Sequence, residues 1–193
     1  MKRTFALALA AAFLATATLK GEPPVKNPSV VMKTSFGSVT MELYPDKAPE
    51  TVKNFLQYVN DKFYDGTIFH RVIANFMIQG GGMDTKNNKK ATRAPIKNEA
   101  ANGLKNTVGT VAMARTNEPN SATAQFFINV KDNGFLDFRD PSAQGIGYCV
   151  FGKVTDGMDV VNKIKSTPTS NQGGAFVNAP VTPVVIESAR VQP

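Results

Sequence analysis

The stretch FHRVIANFMIQGGG, which runs from Phe69 to Gly82, contains the one histidine of the chain, His70, followed directly by Arg71. Its apolar residues predict two strands, over residues 67–73 and 77–79, joined by a short turn. A glutamine and three glycines complete the stretch. A permanent cation and an amide beside apolar side chains are typical of a surface that binds a ligand.

The composition of the whole chain is that of one domain. Its 193 residues are enough to bury a core without cross-links, and its 15 glycines and 12 prolines indicate many turns rather than long helices. One cysteine excludes an intrachain disulfide and a cysteine-based zinc site, and one histidine excludes a multi-histidine metal site. The net charge of +7 permits nucleic acid or an anionic surface as a partner.

The first residues, 1–17, are predicted to be a secretory signal that is removed. A short basic start precedes an apolar run from Thr4 to Thr18, and Ala15 to Ala17 fits a small-residue cleavage site. The run has about 15 residues, fewer than the roughly 20 that span a membrane; an uncleaved interfacial anchor is the alternative. We therefore expect a periplasmic or secreted protein without stable membrane insertion, with residues 18–29 as a linker and residues 30–193 as the folded domain.

The periodicity of the chain predicts about eight strands and two short helices. Helical spacing of apolar residues covers Pro49 to Tyr58 and recurs after Gly157, whereas strand alternation begins at Val30 with a hairpin through Gly37. The other six strands are predicted at residues 67–73, 77–79, 109–114, 125–130, 149–154 and 184–191. This pattern favours a mainly β fold, either a closed barrel or a sandwich.

Several kinds of catalytic site are absent from the sequence. It has no G-x-S-x-G elbow for a serine nucleophile, no evident carboxylate pair for glycoside hydrolysis and no phosphate-binding loop. Gly80 to Gly82 are interpreted as close backbone packing at a strand end. Cys149, in an apolar segment, is interpreted as a small buried hydrophobe rather than a nucleophile. For His70, a hydrogen-bonded structural role and a pocket-lining role both stay open.

The remaining polar groups can bind and polarise a substrate but supply no nucleophile. These groups are the cation of Arg71, the apolar Phe76 and Met77, and the amides of Gln79 and Gln125. This set suits rotation about an X-Pro bond, which crosses a barrier of about 18–20 kcal/mol without breaking a covalent bond. In the twisted state the proline nitrogen accepts a hydrogen bond, so a guanidinium donor binds that state better than either planar state. Guanidinium and amide groups do not change charge near neutrality, so we expect a flat pH profile of activity.

Three long segments resemble the cyclophilins, a family of peptidyl-prolyl cis-trans isomerases: YDGTIFHRVIANFMIQGGG, GTVAMARTNEPNSATAQFFINV and YCVFGKVTDGMDVV. The resemblance extends from about Val30 to Val191 and is nearest to the exported bacterial branch of the family. It implies a closed eight-stranded antiparallel β-barrel capped by two short α-helices. It also implies an isomerase without metal or cofactor, whose partners are proline-containing polypeptides and which assists the folding of exported proteins. Nothing in the sequence demands more than a monomer, so we expect one.

The resemblance also assigns site residues, with Arg71 as the catalytic arginine. It implies that the floor of a proline pocket lies at Phe76, Met77, Phe127 and Leu136. The other substrate-binding residues that it implies are His70, Gln79, Ala114, Arg115, Gln125, Phe135 and Tyr148.

Three of these positions depart from the family pattern. Phe135 stands where many eukaryotic members have a tryptophan that helps to bind cyclosporin, so the missing indole N–H predicts weak cyclosporin binding. Tyr148 stands at the position of a family histidine, and Arg115 replaces an asparagine near the substrate backbone. The sequence preference of the enzyme therefore stays open.

Two other functions stay open on the sequence alone. The same pocket could hold proline-containing segments without turnover. A nucleic-acid binder would use the basic stretch from Lys86 to Arg93, whose cations are Lys86, Lys89, Lys90 and Arg93. That stretch lacks the interleaved aromatics that stack on bases, so we interpret it as a solvated loop and expect no nucleic-acid partner.

Overall fold

The computed structural model describes residues 27–192, so the predicted signal and nearly all of the predicted linker lie outside the described residues. The strands are β1 (Ser29–Thr34), β2 (Gly37–Leu43), β3 (Thr67–Ile73), β4 (Met77–Asp84), β5 (Thr110–Met113), β6 (Phe126–Asn129), β7 (Val150–Asp156), β8 (Thr169–Ser170), β9 (Ala179–Pro180) and β10 (Val185–Val191). The α-helices are α1 (Pro49–Asn60) and α2 (Met158–Lys165). No helix within this part of the chain is both long enough and apolar enough to cross a membrane.

Eight of the strands form one closed antiparallel barrel, which settles the choice between barrel and sandwich. Its neighbour order is β1-β10-β3-β4-β6-β5-β7-β2, and β2 pairs with β1 to close it. The two-residue strands β8 and β9 pair only with each other. They were not predicted, because two residues are too few to establish an alternation.

The first hairpin and both helices form as the sequence predicts, with small shifts of their ends. The turn between β1 and β2 has two residues, Ser35 and Phe36, instead of the four expected, because Gly37 already pairs with Thr34 at a φ of 129°. Helix α1 continues to Asn60, two residues beyond its predicted end. Its first turn is stabilised by a carboxylate from elsewhere in the chain, that of Glu99, which accepts hydrogen bonds from two of the free helix amides.

The buried core of the barrel contains a cluster of aromatic rings among aliphatic side chains. Phe126 of β6 lies with its ring centroid 5.7 Å from that of Phe55 on α1, 5.6 Å from Tyr64 and 6.0 Å from Phe69. The Tyr64 hydroxyl donates a hydrogen bond of 2.9 Å to the Ala124 carbonyl, so its one buried polar atom is paired. Both helices contribute apolar side chains to the same core, which they thereby cap.

The three glycines after Gln79 lie inside β4, not at a strand end as predicted. Gly81 has a φ of +80°, and a Cβ there would lie 2.8 Å from ring atoms of both Tyr64 and Phe126. The interpretation of close packing is thus confirmed and the predicted end of the strand is wrong. Glycine has no side chain to show an alternating pattern, and it is unfavourable in strands, so the periodicity stops before the strand does.

Candidate active site

A cleft of about 300 Å³ opens on the outside of the barrel. The residues that line it are Arg71, Phe76, Met77, Gln79, Ala114, Arg115, Phe127, Phe135, Leu136 and Tyr148. These are all of the predicted site residues except two: Gln125, which lines an adjoining cleft, and His70. Arg71 and Tyr148, which are more than 70 positions apart in the chain, thus line the same cleft. We call this space the proline cleft.

Strand register aligns three of these residues in one row. Arg71 on β3 pairs with Gln79 on β4, and Gln79 pairs with Phe127 on β6. Side chains directly opposite each other on neighbouring antiparallel strands point to the same face of the sheet. The row therefore brings a cation, an amide and an apolar ring side by side on the outer surface.

The floor of the proline cleft is apolar and separate from the barrel core. Met77, Phe127 and Leu136 are buried there and form a small apolar cluster of their own. Tyr148 packs its ring edge to face against Phe127, with 5.8 Å between the centroids. Such a floor can hold a small apolar ring while the polar atoms of a bound chain face the rim.

The guanidinium of Arg71 is oriented by two uncharged neighbours, Gln79 and Phe76. Its Nη1 donates a 3.4 Å hydrogen bond to Oε1 of Gln79, whose Nε2 donates a 2.9 Å bond to Oε1 of Gln125. Its Cζ lies 5.8 Å from the centroid of the Phe76 ring. Within residues 27–192 it forms no salt bridge. The remaining N–H groups are therefore available as donors to a ligand in the cleft.

The amide of Gln125 fits beside Gln79 only because residue 82 is a glycine. A Cβ at Gly82 would lie 2.5 Å from Cγ and 2.6 Å from Nε2 of Gln125. The glycine thus makes room for the chain of hydrogen bonds that ends at Arg71.

We expect a Gly82→Ala variant to keep the fold and lose about tenfold in catalysed X-Pro exchange, because Gln125 must leave Gln79. Exchange spectroscopy on a short proline peptide measures this loss. Gln125→Ala alone should cause a similar loss, and the double variant should lose no more than either single variant. Additive losses would mean that the glycine acts by another route.

A buried asparagine network supports the loop that carries Phe76. Nδ2 of Asn133 donates to the Phe76 carbonyl at 2.8 Å and to Oδ1 of Asn129 at 2.7 Å. Nδ2 of Asn129 in turn donates to Oγ1 of Thr110 at 2.9 Å. Alternation along β6 places Asn129 on the same strand face as Phe127. The role of Asn133 was missed, because its partner lies 57 positions away in the chain.

Arg115 lies against the aromatic wall of the proline cleft. Its Nε donates to the Gly147 carbonyl at 3.0 Å and its Nη1 to the Thr116 carbonyl at 2.9 Å. Its Cζ lies 4.5 Å from the centroid of the Tyr148 ring, within the range of a cation–π interaction. Two of the three departures from the family pattern, Arg115 and Tyr148, are therefore in contact with each other.

His70 does not line the proline cleft, which corrects its predicted place among the substrate-binding residues. It lines a separate cavity of about 110 Å³, where its ring lies 6.4 Å from that of Phe176. The alternation of side chains along β3 sends His70 to the face opposite Arg71. Its Nδ1 is buried and has no hydrogen-bond partner among residues 27–192. Burial lowers the pKa of His70 from 6.5 to about 4; a backbone interaction with Ile68 opposes this shift and the charge of Arg71 adds to it.

This lowered pKa predicts a loss of stability on mild acidification. Below pH 6.5 the unfolded chain binds a proton on His70 that the folded protein does not accept until about pH 4. The free energy of unfolding should therefore fall by about 1.6 kcal/mol between pH 6.5 and 5 through this group alone. Denaturant unfolding at both pH values, for the native protein and His70→Gln, measures it. Equal losses in the two proteins would contradict the assignment.

Cys149 is a buried thiol, as predicted. It is 4% exposed, and its Sγ lies 3.5 Å from Oγ1 of Thr51. Burial raises its pKa to about 11, which suits an unreactive thiol.

The basic stretch from Lys86 to Arg93 is less free than expected. Nζ of Lys90 lies 4.6 Å from the Phe63 ring centroid, and Arg93 pairs with Asp61. Two of its four cations thus contact the body of the protein.

No metal-binding cluster of three or more His, Cys, Asp or Glu side chains occurs in the part of the chain that the structure describes. The proline cleft itself contains no carboxylate, thiol or imidazole among its lining residues. Its polar lining groups are the guanidiniums of Arg71 and Arg115, the amide of Gln79 and the phenol of Tyr148.

Comparison with known proteins gives consistent matches. A family model described as "Cyclophilin type peptidyl-prolyl cis-trans isomerase/CLD" matches residues 29–191. Peptidyl-prolyl cis-trans isomerase B of Escherichia coli is 59% identical over 162 residues, which are 84% of this chain and 98% of that protein. An isomerase of Acinetobacter baylyi is 58% identical over 166 residues, 86% of each chain. A crystal structure of a Cryptosporidium parvum cyclophilin-type isomerase in the presence of the dipeptide Ala-Pro has a TM-score of 0.70 and 26% identity, and the match covers 86% of this chain and 99% of that one.

Proposed function

This chain belongs to the cyclophilin-type peptidyl-prolyl cis-trans isomerases, and from that premise we propose that Arg71 catalyses rotation about X-Pro bonds by donating a hydrogen bond to the twisted proline nitrogen. The observation that carries this proposal is a guanidinium without an ion pair in residues 27–192, oriented by Gln79 beside an apolar floor. A proline ring on that floor would bring its nitrogen close to the guanidinium.

The proposed mechanism depends on a difference between two states of the same amide. In the planar amide the nitrogen lone pair is conjugated with the carbonyl and accepts hydrogen bonds poorly. In the twisted amide the conjugation is lost and the nitrogen becomes an acceptor. A fixed cationic donor next to an apolar floor therefore lowers the free energy of the twisted state more than that of either planar state.

Gln125 is proposed to hold the substrate backbone during the rotation. Its Oε1 accepts from Gln79, whereas its Nε2 makes no hydrogen bond with any residue in the range 27–192. That N–H group can donate to a carbonyl of a bound polypeptide. Holding one side of the X-Pro bond while the other turns requires no proton transfer, and His70, with its pKa of about 4, does not titrate between pH 6 and 8. This agrees with the flat pH profile expected from the sequence.

The test of this function is cis-trans exchange of a short Ala-Pro peptide, followed by NMR with and without the protein. We expect exchange that takes tens to hundreds of seconds without the protein to become fast with catalytic amounts of it. A peptide with alanine in place of proline should not bind. Binding of the proline peptide without faster exchange would instead identify a proline-segment binder.

We further propose that the enzyme assists the folding of exported proteins after its own export. The support is the pattern of residues 1–17, a basic start followed by an apolar run and a small-residue site. Expression in a bacterial cell, fractionation and mass measurement test it: the native chain should lose about 17 residues and collect in the periplasm. Leu9→Arg, which interrupts the apolar run, should keep the full mass and stay in the cytoplasm. A native chain of full mass in the cytoplasm would reject the proposal.

Inhibition by cyclosporin is expected to be weak. Phe135 is 69% exposed at the rim of the proline cleft and stacks on Phe76, with 5.6 Å between the ring centroids, but it has no N–H donor. Phe135→Trp restores an indole N–H at the same rim and should tighten inhibition by about tenfold, the worth of one hydrogen bond. An inhibition assay on both proteins decides this. Inhibition of the native protein as strong as that of drug-sensitive family members would contradict it.

A further inference from the structure

We propose that a smaller cleft beside the proline cleft is a cationic subsite, which selects substrates with an acidic residue close to the proline. This inference rests on the proposed function, because the subsite is defined relative to a proline held in the proline cleft. The smaller cleft has a volume of about 190 Å³ and shares Gln79, Ala114 and Arg115 with its neighbour. Because the two clefts adjoin, a polypeptide lying across both would place one flank of its X-Pro bond in the smaller one.

The charge of this subsite is positive and not compensated locally. Two cations, Lys89 and Arg115, line it, and all of its other lining residues are uncharged. Neither cation forms a salt bridge with any residue in the described range 27–192. Glu118, the acidic residue nearest to Arg115 in the sequence, does not line the cleft. A carboxylate entering the cleft would therefore meet two cations and no like charge on its lining residues.

Arg115 is already held in place for such a ligand. Its Nε and Nη1 donate to the carbonyls of Gly147 and Thr116, and its Cζ lies over the Tyr148 ring. Its Nη2 makes no hydrogen bond with another residue of the described chain, so it can donate to a carboxylate oxygen. A guanidinium that is ordered before binding loses little rotamer freedom on binding. Lys89, which is exposed, adds a second charge to the same cleft.

A carboxylate fits these features better than the other side chains of a polypeptide. A neutral amide of the same size would gain a hydrogen bond from Nη2 of Arg115 but no charge-charge attraction to either cation. A lysine or arginine would be repelled by both cations. The subsite thus predicts a rank order of glutamate above glutamine above lysine at the same substrate position.

The experiment uses matched peptides that differ only in glutamate or glutamine, placed at each position from three before the proline to three after it. NMR measures the affinity and the catalysed exchange rate of each peptide. At low salt, about 20 mM, we expect the glutamate peptide to be favoured by about fivefold at one or two positions on a single flank. The ratio should fall toward one at about 0.5 M salt. A ratio of one at every position, or a fivefold ratio on both flanks alike, would overturn the proposal.

Two charge-reversal variants separate the subsite from the overall charge of the protein. Lys89→Glu should bring the glutamate-to-glutamine ratio to one or below. Lys86→Glu makes the same change of charge on the same loop, but Lys86 does not line the cleft, so the ratio should stay near that of the native protein. Equal loss of the ratio in both variants would mean that only net charge acts. Failure to accelerate the glutamine peptides would count against the proposed mechanism instead, and the affinity ratio would still test the subsite.

Discussion

Arg71→Ala is expected to lower the catalysed exchange rate of an X-Pro peptide by about 10²–10³-fold, the usual cost of removing one donor that acts on the transition state. The guanidinium is the one cation near the apolar floor that is oriented by Gln79, and no carboxylate, thiol or imidazole lines the proline cleft. Arg115 also lines the cleft, but its guanidinium is held against Gly147 and Tyr148, so the lining offers no second donor oriented by Gln79. Exchange spectroscopy at several enzyme concentrations gives the rate for each protein.

The matched variant is Arg71→Lys, which keeps the charge but replaces the planar fork by a single ammonium group. Lysine cannot hydrogen-bond to Gln79 and point a second N–H at the proline nitrogen with the same geometry. We therefore expect Arg71→Lys to recover only part of the lost rate. Full recovery would mean that charge alone matters, and an unchanged rate in Arg71→Ala would remove the arginine from the mechanism.

Phe126→Ala is expected to be the most damaging single change to the fold, at a cost of about 3–5 kcal/mol in the free energy of unfolding. Phe126 is fully buried and its ring contacts those of Phe55, Tyr64 and Phe69. The substitution leaves a cavity where β6, α1 and β3 meet. Since domains of this kind are stable by about 5–15 kcal/mol, the variant should be partly unfolded on moderate heating.

The control for that change is Phe36→Ala in the turn between β1 and β2. Phe36 is 36% exposed, so its truncation should cost no more than about 1 kcal/mol. Denaturant unfolding of both variants gives the comparison. Similar losses in the two proteins would show that the ring cluster around Phe126 is not the main core of the barrel.

The fold could be predicted from the sequence wherever side chains alternate clearly. Strand β3 has the predicted bounds, residues 67–73, because five apolar or β-branched residues frame its two polar ones. Strand β4 was predicted too short, since Gly80 to Gly82 have no side chains to alternate. Closure into a barrel depends on pairings between distant strands, such as β3 with β10, which the periodicity of either strand does not reveal.

The site was predictable in its chemistry but not in its supports. The residue types around Arg71 indicated a reaction without a nucleophile, and the family resemblance supplied the distant members of the cleft. Two contacts were not predicted: the carboxylate of Glu99 accepts a hydrogen bond from the Thr51 amide at the start of α1, and the side-chain amide of Asn133 donates to the Phe76 carbonyl. Each of these contacts joins residues about 50 positions apart, and nothing in the local sequence of either partner marks it. The separate cavity that His70 lines was not predicted either.

The central claim is that Arg71 acts on the twisted state and not on substrate binding. The measurement that tests it most directly is one NMR titration of a short Ala-Pro peptide with the native protein and with Arg71→Ala, which gives both the dissociation constant and the exchange rate. We expect the dissociation constants to agree within about threefold while the rate falls by about 10²-fold or more. A loss of affinity that equals the loss of rate would contradict the claim, because Arg71 would then bind planar and twisted proline alike.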